Sequence, residues 1–383
     1  MNNGPLAGIK VVEIAGLGPA PCAGMMLADM GAEVILIERK AASSSNNGSN
    51  NGEKGQIFNR GKKSIALNLK KAKSIELALE LIGDADVVIE GFRPGVMERL
   101  GLGPEICLER NPALIYGRMT GWGQTGPLAQ AAGHDPNYIA LSGALWYGGG
   151  QNQAPSSPVT LVGDLGGGTM VMLWGIMCSL LHARHTGKGQ VVDAAITDGS
   201  AYLSTLLWSS FNNGKLEGNL GSNWQDRGSP WNDTYECADG NFITVCALEA
   251  QFYKELITLL ELTDDPSFAD QWDKSQWPEG KKKLRKLFMQ RSRDEWSRLL
   301  EGTDVCFGAV LNFEEAPRHP HNRARETFVD INGAIQPAPA PNLSLTPGSI
   351  GVPPKNAEHT EEILRRIGVN QSDVLALQEK GEI

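Results

Sequence analysis

The chain has 383 residues, 41% of them hydrophobic and 21% charged, with 35 basic against 44 acidic side chains and a net charge of −9. That length has room for two domains, and the composition is that of a water-soluble globular protein. The acidic balance argues against nucleic acid as a general partner, although a local basic cluster could still meet phosphates. Cys22, Cys107, Cys178, Cys237, Cys246 and Cys306 form no C-x-x-C pair and no metal-ligand spacing. We read them as reduced thiols of a cytoplasmic protein without a metal.

The start, MNNGPLAGIKVVEI, lacks a basic stretch followed by an apolar one, so no secretory signal is expected, and Gly381-Glu-Ile383 is not a peroxisomal address. Ile9–Ile14 reads as a buried strand, followed by a turn at Gly16-Leu-Gly18, a helix through Met25–Met30 and a strand over Glu33–Glu38, which together make a βαβ unit. The turn imitates a dinucleotide fingerprint with Glu38 beyond it, but Pro21 stands where the third glycine belongs. Residues 41–53 are polar and of low complexity, and predict a mobile surface loop. Ser64–Leu69 predicts a third strand, 71–83 a helix, Asp86–Ile89 a fourth strand and Leu114–Tyr116 a fifth. Strands alternating with helices imply a parallel α/β sheet.

Met170–Leu181 is a run of twelve apolar residues, too short to span a bilayer, and predicts a helix buried on all sides with His182 and His185 near its negative end. Past residue 195 the pattern changes. A helix and a Gly/Asn/Ser/Trp-rich linker occupy 196–232, and a smaller α+β domain covers 233–318. The latter holds a strand over Asn241–Ala247 and helices near 250–261, 279–290 and 293–301, the last with a capping box from Ser292 to Glu295. Residues 319–337 form a second linker. Pro-rich 337–354 reads as an extended strap returning 338–383 to the large domain of residues 1–195, and an amphipathic helix near 357–367 closes the chain.

Three residue types carry chemistry. Asp164 precedes Gly166-Gly-Gly168 and a helix, whose N–H groups and dipole would favour an anion. His134 precedes Asp135-Pro136, read as the N-cap and first residue of a helix, and a histidine suits general-base work at neutral pH. Glu249 stands where a strand gives way to a helix. Arg39, the Arg60-Gly-Lys62-Lys63 run and Arg93 lie at or beside strand ends, where α/β sheets bind ligands, and could serve a phosphate-bearing molecule.

Several longer stretches carry a resemblance: Val11-Val-Glu-Ile-Ala-Gly16, Leu27-Ala-Asp-Met-Gly-Ala32, Gly91-Phe-Arg-Pro-Gly-Val-Met97 and Gly117-Arg-Met-Thr-Gly-Trp-Gly-Gln124. Further along come Gly133-His-Asp-Pro-Asn-Tyr138, Asp164-Leu-Gly-Gly-Gly168, Thr186-Gly-Lys-Gly-Gln190 and Glu358-His-Thr-Glu-Glu-Ile-Leu364. Over nearly its whole length the chain resembles the family III CoA-transferase superfamily, and within it the α-methylacyl-CoA racemases. The resemblance implies a Rossmann-like large domain, a small domain, and an interlocked homodimer with active sites shared between subunits. It makes His134 and Asp164 the catalytic groups, with Glu249 of the partner subunit beside the histidine. It places Arg39, Leu67, Asn68, Leu69, Lys70 and Arg93 along the adenosine and phosphate end of CoA, and Gly133, Asp135, Asn137 and Tyr138 along the thioester. CoA then belongs to the substrate and no separate cofactor is implied. Ala357 departs from the family, which usually has glycine there, and 41–53 is an atypical insert.

Inverting a stereocentre next to a thioester needs a base on one face and an acid on the other, exchanging roles with direction. His134 and Asp164 suit that, with the N–H groups from Asp164 onward expected to hold the enolate oxygen. The rival is CoA transfer between carboxylic acids, with Asp164 as nucleophile; a basic residue at 134 favours proton transfer. Met25, Met26, Leu141, Leu145, Trp146, Trp208 and Trp224 are candidates for an apolar acyl surface.

Overall fold

The structure is a computed structural model and describes residues 4–40, 56–150 and 153–383; the predicted 41–53 loop lies outside them. The chain divides into two compact units, one of 1–142, 158–204 and 326–383, the other of 143–157 and 205–325. Residues 143–157 therefore pack with the second unit rather than with the large domain expected from sequence. Trp146 shows why, its indole donating to the Gly218 carbonyl.

In the first unit β1 (Lys10–Ile14), α1 (Pro19–Asp29), β2 (Glu33–Glu38), β3 (Lys63–Ala66), α2 (Ala72–Gly83) and β4 (Val87–Glu90) alternate as predicted. The short helices α3 (Val96–Arg99) and α4 (Pro104–Arg110) lead to β5 (Ile115–Thr120), and α5 covers Asp135–Leu141. A wide helix over Leu161–Met170 runs into α6 (Val171–Thr186), which β6 (Gln190–Ala195) and α7 (Ile196–Leu203) follow. The six strands lie in the order β3-β2-β1-β4-β5-β6, all parallel. The order reverses direction between β1 and β4, and such sheets bind ligands beyond the carboxyl ends of their strands at that point. The interiors of β2 and β4 are continuous apolar runs because both faces are covered.

Sequence patterning overlooked β6, an edge strand of mixed polarity, and misjudged α6. That helix is not buried all round. Met172, Ile176, Leu180 and Ala183 face the core, and Gly175 leaves room for Val192, which a Cβ there would approach to 2.7 Å. The opposite face carries Trp174 and Leu181, 69% and 60% exposed. Joined to the wide helix, the segment Leu161–Thr186 is 26 residues long and apolar enough, by length and composition alone, to cross a membrane. The twelve-residue run thus understated its length, although one face is committed to the sheet.

Arg60, Lys62 and Lys63 do not form an open phosphate cluster. Arg60 and Asp29 are both 3% exposed and paired at 2.5 Å, and Arg60 also donates to Gln336 and the Pro337 carbonyl. Lys62 sits 2.6 Å from the Glu13 carboxylate, with both side chains fully buried, and Lys63 pairs with Glu33 and Glu362. Burial pushes Glu13 up to about 7 against the pull of Lys62, and drives Lys62 down. Gly24 makes this pairing sterically feasible, since a Cβ there would stand 1.8 Å from a Glu13 oxygen.

The returning segment forms the hairpin β10 (Phe328–Ile331) and β11 (Ala334–Pro337), then an extended strap tied by Ser349 N–H to the Asp29 carbonyl and by Gly61 N–H to Val352. It ends in two helices, Thr360–Arg366 and Gln371–Glu379, so the chain does not close at 367 as predicted. In the second unit β7 (Asn232–Glu236), β8 (Phe242–Cys246) and β9 (Phe307–Val310) form an antiparallel sheet. Helices over Ala250–Leu259, Trp277–Phe288 and Arg293–Leu300 pack on it around Trp231 and Trp296, and Ser292 and Glu295 make the expected capping box.

Two outcomes follow for stability. Lys62→Met leaves Glu13 buried without its countercharge and should cost about 3–5 kcal/mol at neutral pH by urea denaturation. Because Glu13 is raised above its ordinary 4.5, its favourable state holds below that value and is lost as pH rises, so the variant should be nearest to parental in acid. Ala357 has φ 63°, in the left-handed region. Ala357→Gly should raise stability by roughly 1 kcal/mol, and an unchanged or lower denaturation midpoint would contradict that.

Candidate active site

At the start of α5 the local sequence misleads. His134, not Asp135, is the N-cap, in extended backbone, and its N–H donates to Asn137 Oδ1 at 2.9 Å. Asp135 is the first helical residue and Pro136 the second. The Asp135 carboxylate turns away from its own helix because it has a remote donor, the Asp164 N–H, at 2.7 Å. Asp135 is 3% exposed, and its other oxygen has no hydrogen-bond partner among the described residues. Gly163 makes the approach possible, since a Cβ there would stand 2.5 Å from that carboxylate and 3.0 Å from Ile139.

Asp164 is not an N-cap either. It is the fourth residue of a helix wound with i→i+5 hydrogen bonds, opened by Thr160 at φ 61° and by the Leu165 N–H donating to the Thr160 carbonyl at 3.0 Å. Such winding is rare and concentrates at functional sites. The glycines after Asp164 let the helix nest closely. A Cβ on Gly167 would meet Ser200 Oγ at 2.4 Å, and one on Gly168 would crowd Ile196, Met119 and Pro19. The N–H groups of Asp164 and Leu165 are both engaged, so the oxyanion donors expected from Asp164 onward are not these two.

The result is an imidazole and a carboxylate joined through one intervening residue. Asp164 is half-buried and His134 exposed. Burial, then the neighbouring Asp135 carboxylate, raise the Asp164 pKa, and the His134 charge opposes them. A carboxyl held above its ordinary value can carry a proton in one step and release it in another. Tyr138 closes one wall. Its hydroxyl donates to the Gly133 carbonyl and its ring meets Trp122 edge-on at 4.8 Å. Gly133 and Gly121 both give way to that ring, which a Cβ on either would strike. The charges of Asp164 and Arg93 both reach Tyr138, which burial, foremost, and Asp164 raise and Arg93 lowers. Sequence reasoning missed Trp122 as a wall residue; its buried indole N–H has no partner among the described residues. Its one signal was a lone tryptophan between Gly121 and Gly123.

Arg39 and Arg93 are exposed just beyond the carboxyl ends of β2 and β4. Of the four residues after β3, Lys70 alone is exposed. Leu67 is core, Leu69 packs against it, and Asn68 donates through its backbone and side chain to Glu382 and Gly381. Glu249 is the exposed N-cap of the helix Ala250–Leu259 in the second unit. Of the acyl candidates, Met25, Met26 and Leu141 belong to the first unit, and Leu145, Trp146, Trp208 and Trp224 to the second. Among the described residues no group of three or more His, Cys, Asp or Glu could hold a metal ion.

Because Asp164 is raised above 3.8, its stabilising protonated state is lost as pH rises through the folded value. Asp164→Asn should therefore be at least as stable as the parent at neutral pH. Asp135→Asn keeps an acceptor for the Asp164 N–H but removes a charge, and should move the Asp164 carboxyl resonance, followed by 13C NMR, to titrate at lower pH. An upward movement would contradict the geometry.

Comparison with known proteins identifies the family. The family model "CoA-transferase family III" matches residues 6–360. The chain is 42% identical to the alpha-methylacyl-CoA racemase of Mus musculus over 97% of its length and 96% of that protein's. It is 41% identical to the Homo sapiens racemase, with the same coverage of each chain. A crystal structure of a CAIB/BAIF family protein from Brucella suis superposes with a TM-score of 0.80 at 27% identity, covering 95% of this chain and all of that one. The chain belongs to CoA-transferase family III.

Proposed function

We propose that the chain interconverts the R and S epimers of 2-methylacyl-CoA thioesters by proton transfer at the α-carbon. The observation that carries this reading is the hydrogen bond from the Asp164 N–H to Asp135, the residue after His134, together with the action of the His134 charge on the raised Asp164 carboxyl. In one direction neutral His134 removes the α-proton while protonated Asp164 delivers one to the opposite face; in the other, the Asp164 carboxylate removes it and the His134 imidazolium returns it. Between the two steps lies a planar enolate, its charge on the thioester oxygen. Arg39, Lys70 and Arg93 would meet the phosphates of CoA, a role supported by the exposure of Arg39 and Arg93 beyond the strand ends, with Leu67, Asn68 and Leu69 shaping that edge of the sheet. Gly133, Asp135, Asn137 and Tyr138 form the turn along the thioester.

The working form is a homodimer in this reading, with Glu249 of the partner subunit stabilising the imidazolium. The exposed apolar face of Trp174 and Leu181 on α6, and the exposed Tyr202 and Leu203 on α7, support an interface in a cytoplasmic enzyme better than a solvated surface. The racemase relatives favour epimerisation over CoA transfer, as does a basic residue at 134.

Incubated in D2O with a 2-methylacyl-CoA and no carboxylic acid acceptor, the protein should place deuterium at the α-carbon. His134→Ala should slow that exchange on the order of 10²–10⁴-fold. Exchange that needs an added acid, or survives undiminished in the variant, would assign Asp164 as the nucleophile of a CoA transferase instead.

A further inference from the structure

β8 and β9 pair Val245 with Phe307, so the next opposed pair is Cys246 and Cys306, and the Cys246 N–H donates to the Cys306 carbonyl at 3.0 Å. Directly opposed residues of antiparallel strands have Cα atoms about 4.5–5.5 Å apart, within the span of about 4.4–6.8 Å that a disulfide bridges. Alternation along β8 sends Ile243 and Val245 into the core and Phe242, Thr244 and Cys246 to the other face. Gly308, opposite Thr244, leaves that face open. Both cysteines are free and exposed. Cys306 has φ 55°, so the ladder bends at this pair, and the Cys306 thiol donates weakly to the Asp304 carbonyl at 3.8 Å, an interaction that closure would replace.

We propose that Cys246 and Cys306 are a modification site, a cross-strand dithiol that closes to a disulfide on reaction with a low-molecular-weight disulfide. The thiolate of one cysteine attacks a sulfur of the small disulfide, whose S–S bond breaks, and one small thiol leaves. The second cysteine attacks the mixed disulfide; the protein S–S bond forms and the second small thiol leaves. Two protein thiols are oxidised, one small disulfide is reduced to two thiols, and each departing thiolate takes up a proton released by a cysteine.

The surroundings set the conditions. Burial raises the Cys246 thiol first and the Glu249 carboxylate adds to it; Cys306 is raised by burial, then by Cys246 and Glu249. The effect of Cys246 on Cys306 agrees with the register, and raised thiols react slowly near neutral pH because few of them are ionised. Closure accelerates as pH rises and the thiolate fraction grows. Cys178 is also exposed, but it stands on α6 in the first unit with no cysteine opposite, and so serves as an internal comparison.

The test treats the folded protein with oxidised glutathione at about pH 8.5, blocks remaining thiols with iodoacetamide, and maps peptides by mass spectrometry. The expected product is a peptide joining Cys246 to Cys306, two hydrogens lighter than its parts and released by dithiothreitol, while Cys178 carries glutathione alone. In Cys306→Ser, Cys246 should retain glutathione as a lasting mixed disulfide. Separate glutathione adducts on both cysteines of the parent protein, or both recovered as alkylated thiols, would overturn the proposal. Neither result depends on the proposed epimerase activity.

Discussion

The hydrogen bond from the Asp164 N–H to the Asp135 carboxylate is the constraint on which the site depends. It joins the first turn of α5 to the first turn of the wide helix across 29 residues of sequence. Its effect is both geometric and electrostatic. The same carboxylate that fixes the Asp164 backbone lies close to the Asp164 side chain and disfavours its ionised form. Position and proton affinity are thereby coupled through one group, which itself need not touch substrate.

The frame beneath is held by charges buried where solvent does not reach. Arg60 links the end of α1 to β11, and so fastens the returning C-terminal segment to the first βαβ unit. Lys62 and Glu13 do the same between β3 and β1. Buried pairs of this kind contribute little net stability relative to a well-packed apolar substitute, but losing one member is costly. Their effect is to specify which segments meet.

Most of the sheet was legible in the sequence because buried parallel strands are short apolar runs separated by helix-period segments. β6 and β7, edge strands of mixed polarity, and β9, an edge strand of only four residues, were not. Asp135 illustrates a different limit. An aspartate before proline is a strong local signal for an N-cap, and it failed here because a tertiary donor competed for the carboxylate. The basic run Arg60 to Lys63 was misread for the same reason, since Asp29, Glu13, Glu33 and Glu362 are remote in sequence. His134 and Asp164 could be named from residue type and resemblance, but their proximity rests on Gly163 and the wide winding, neither of which has a periodicity to read.

That winding has a consequence for how such a site can arise or vanish. A helix with i→i+5 bonds holds one residue more per turn than its ordinary counterpart. Deleting a single codon within 161–170 could restore regular winding and swing the Asp164 side chain by about 100° around the axis. Loss of the His134–Asp164 arrangement with retention of the scaffold therefore lies one in-frame deletion away, with both residues unchanged.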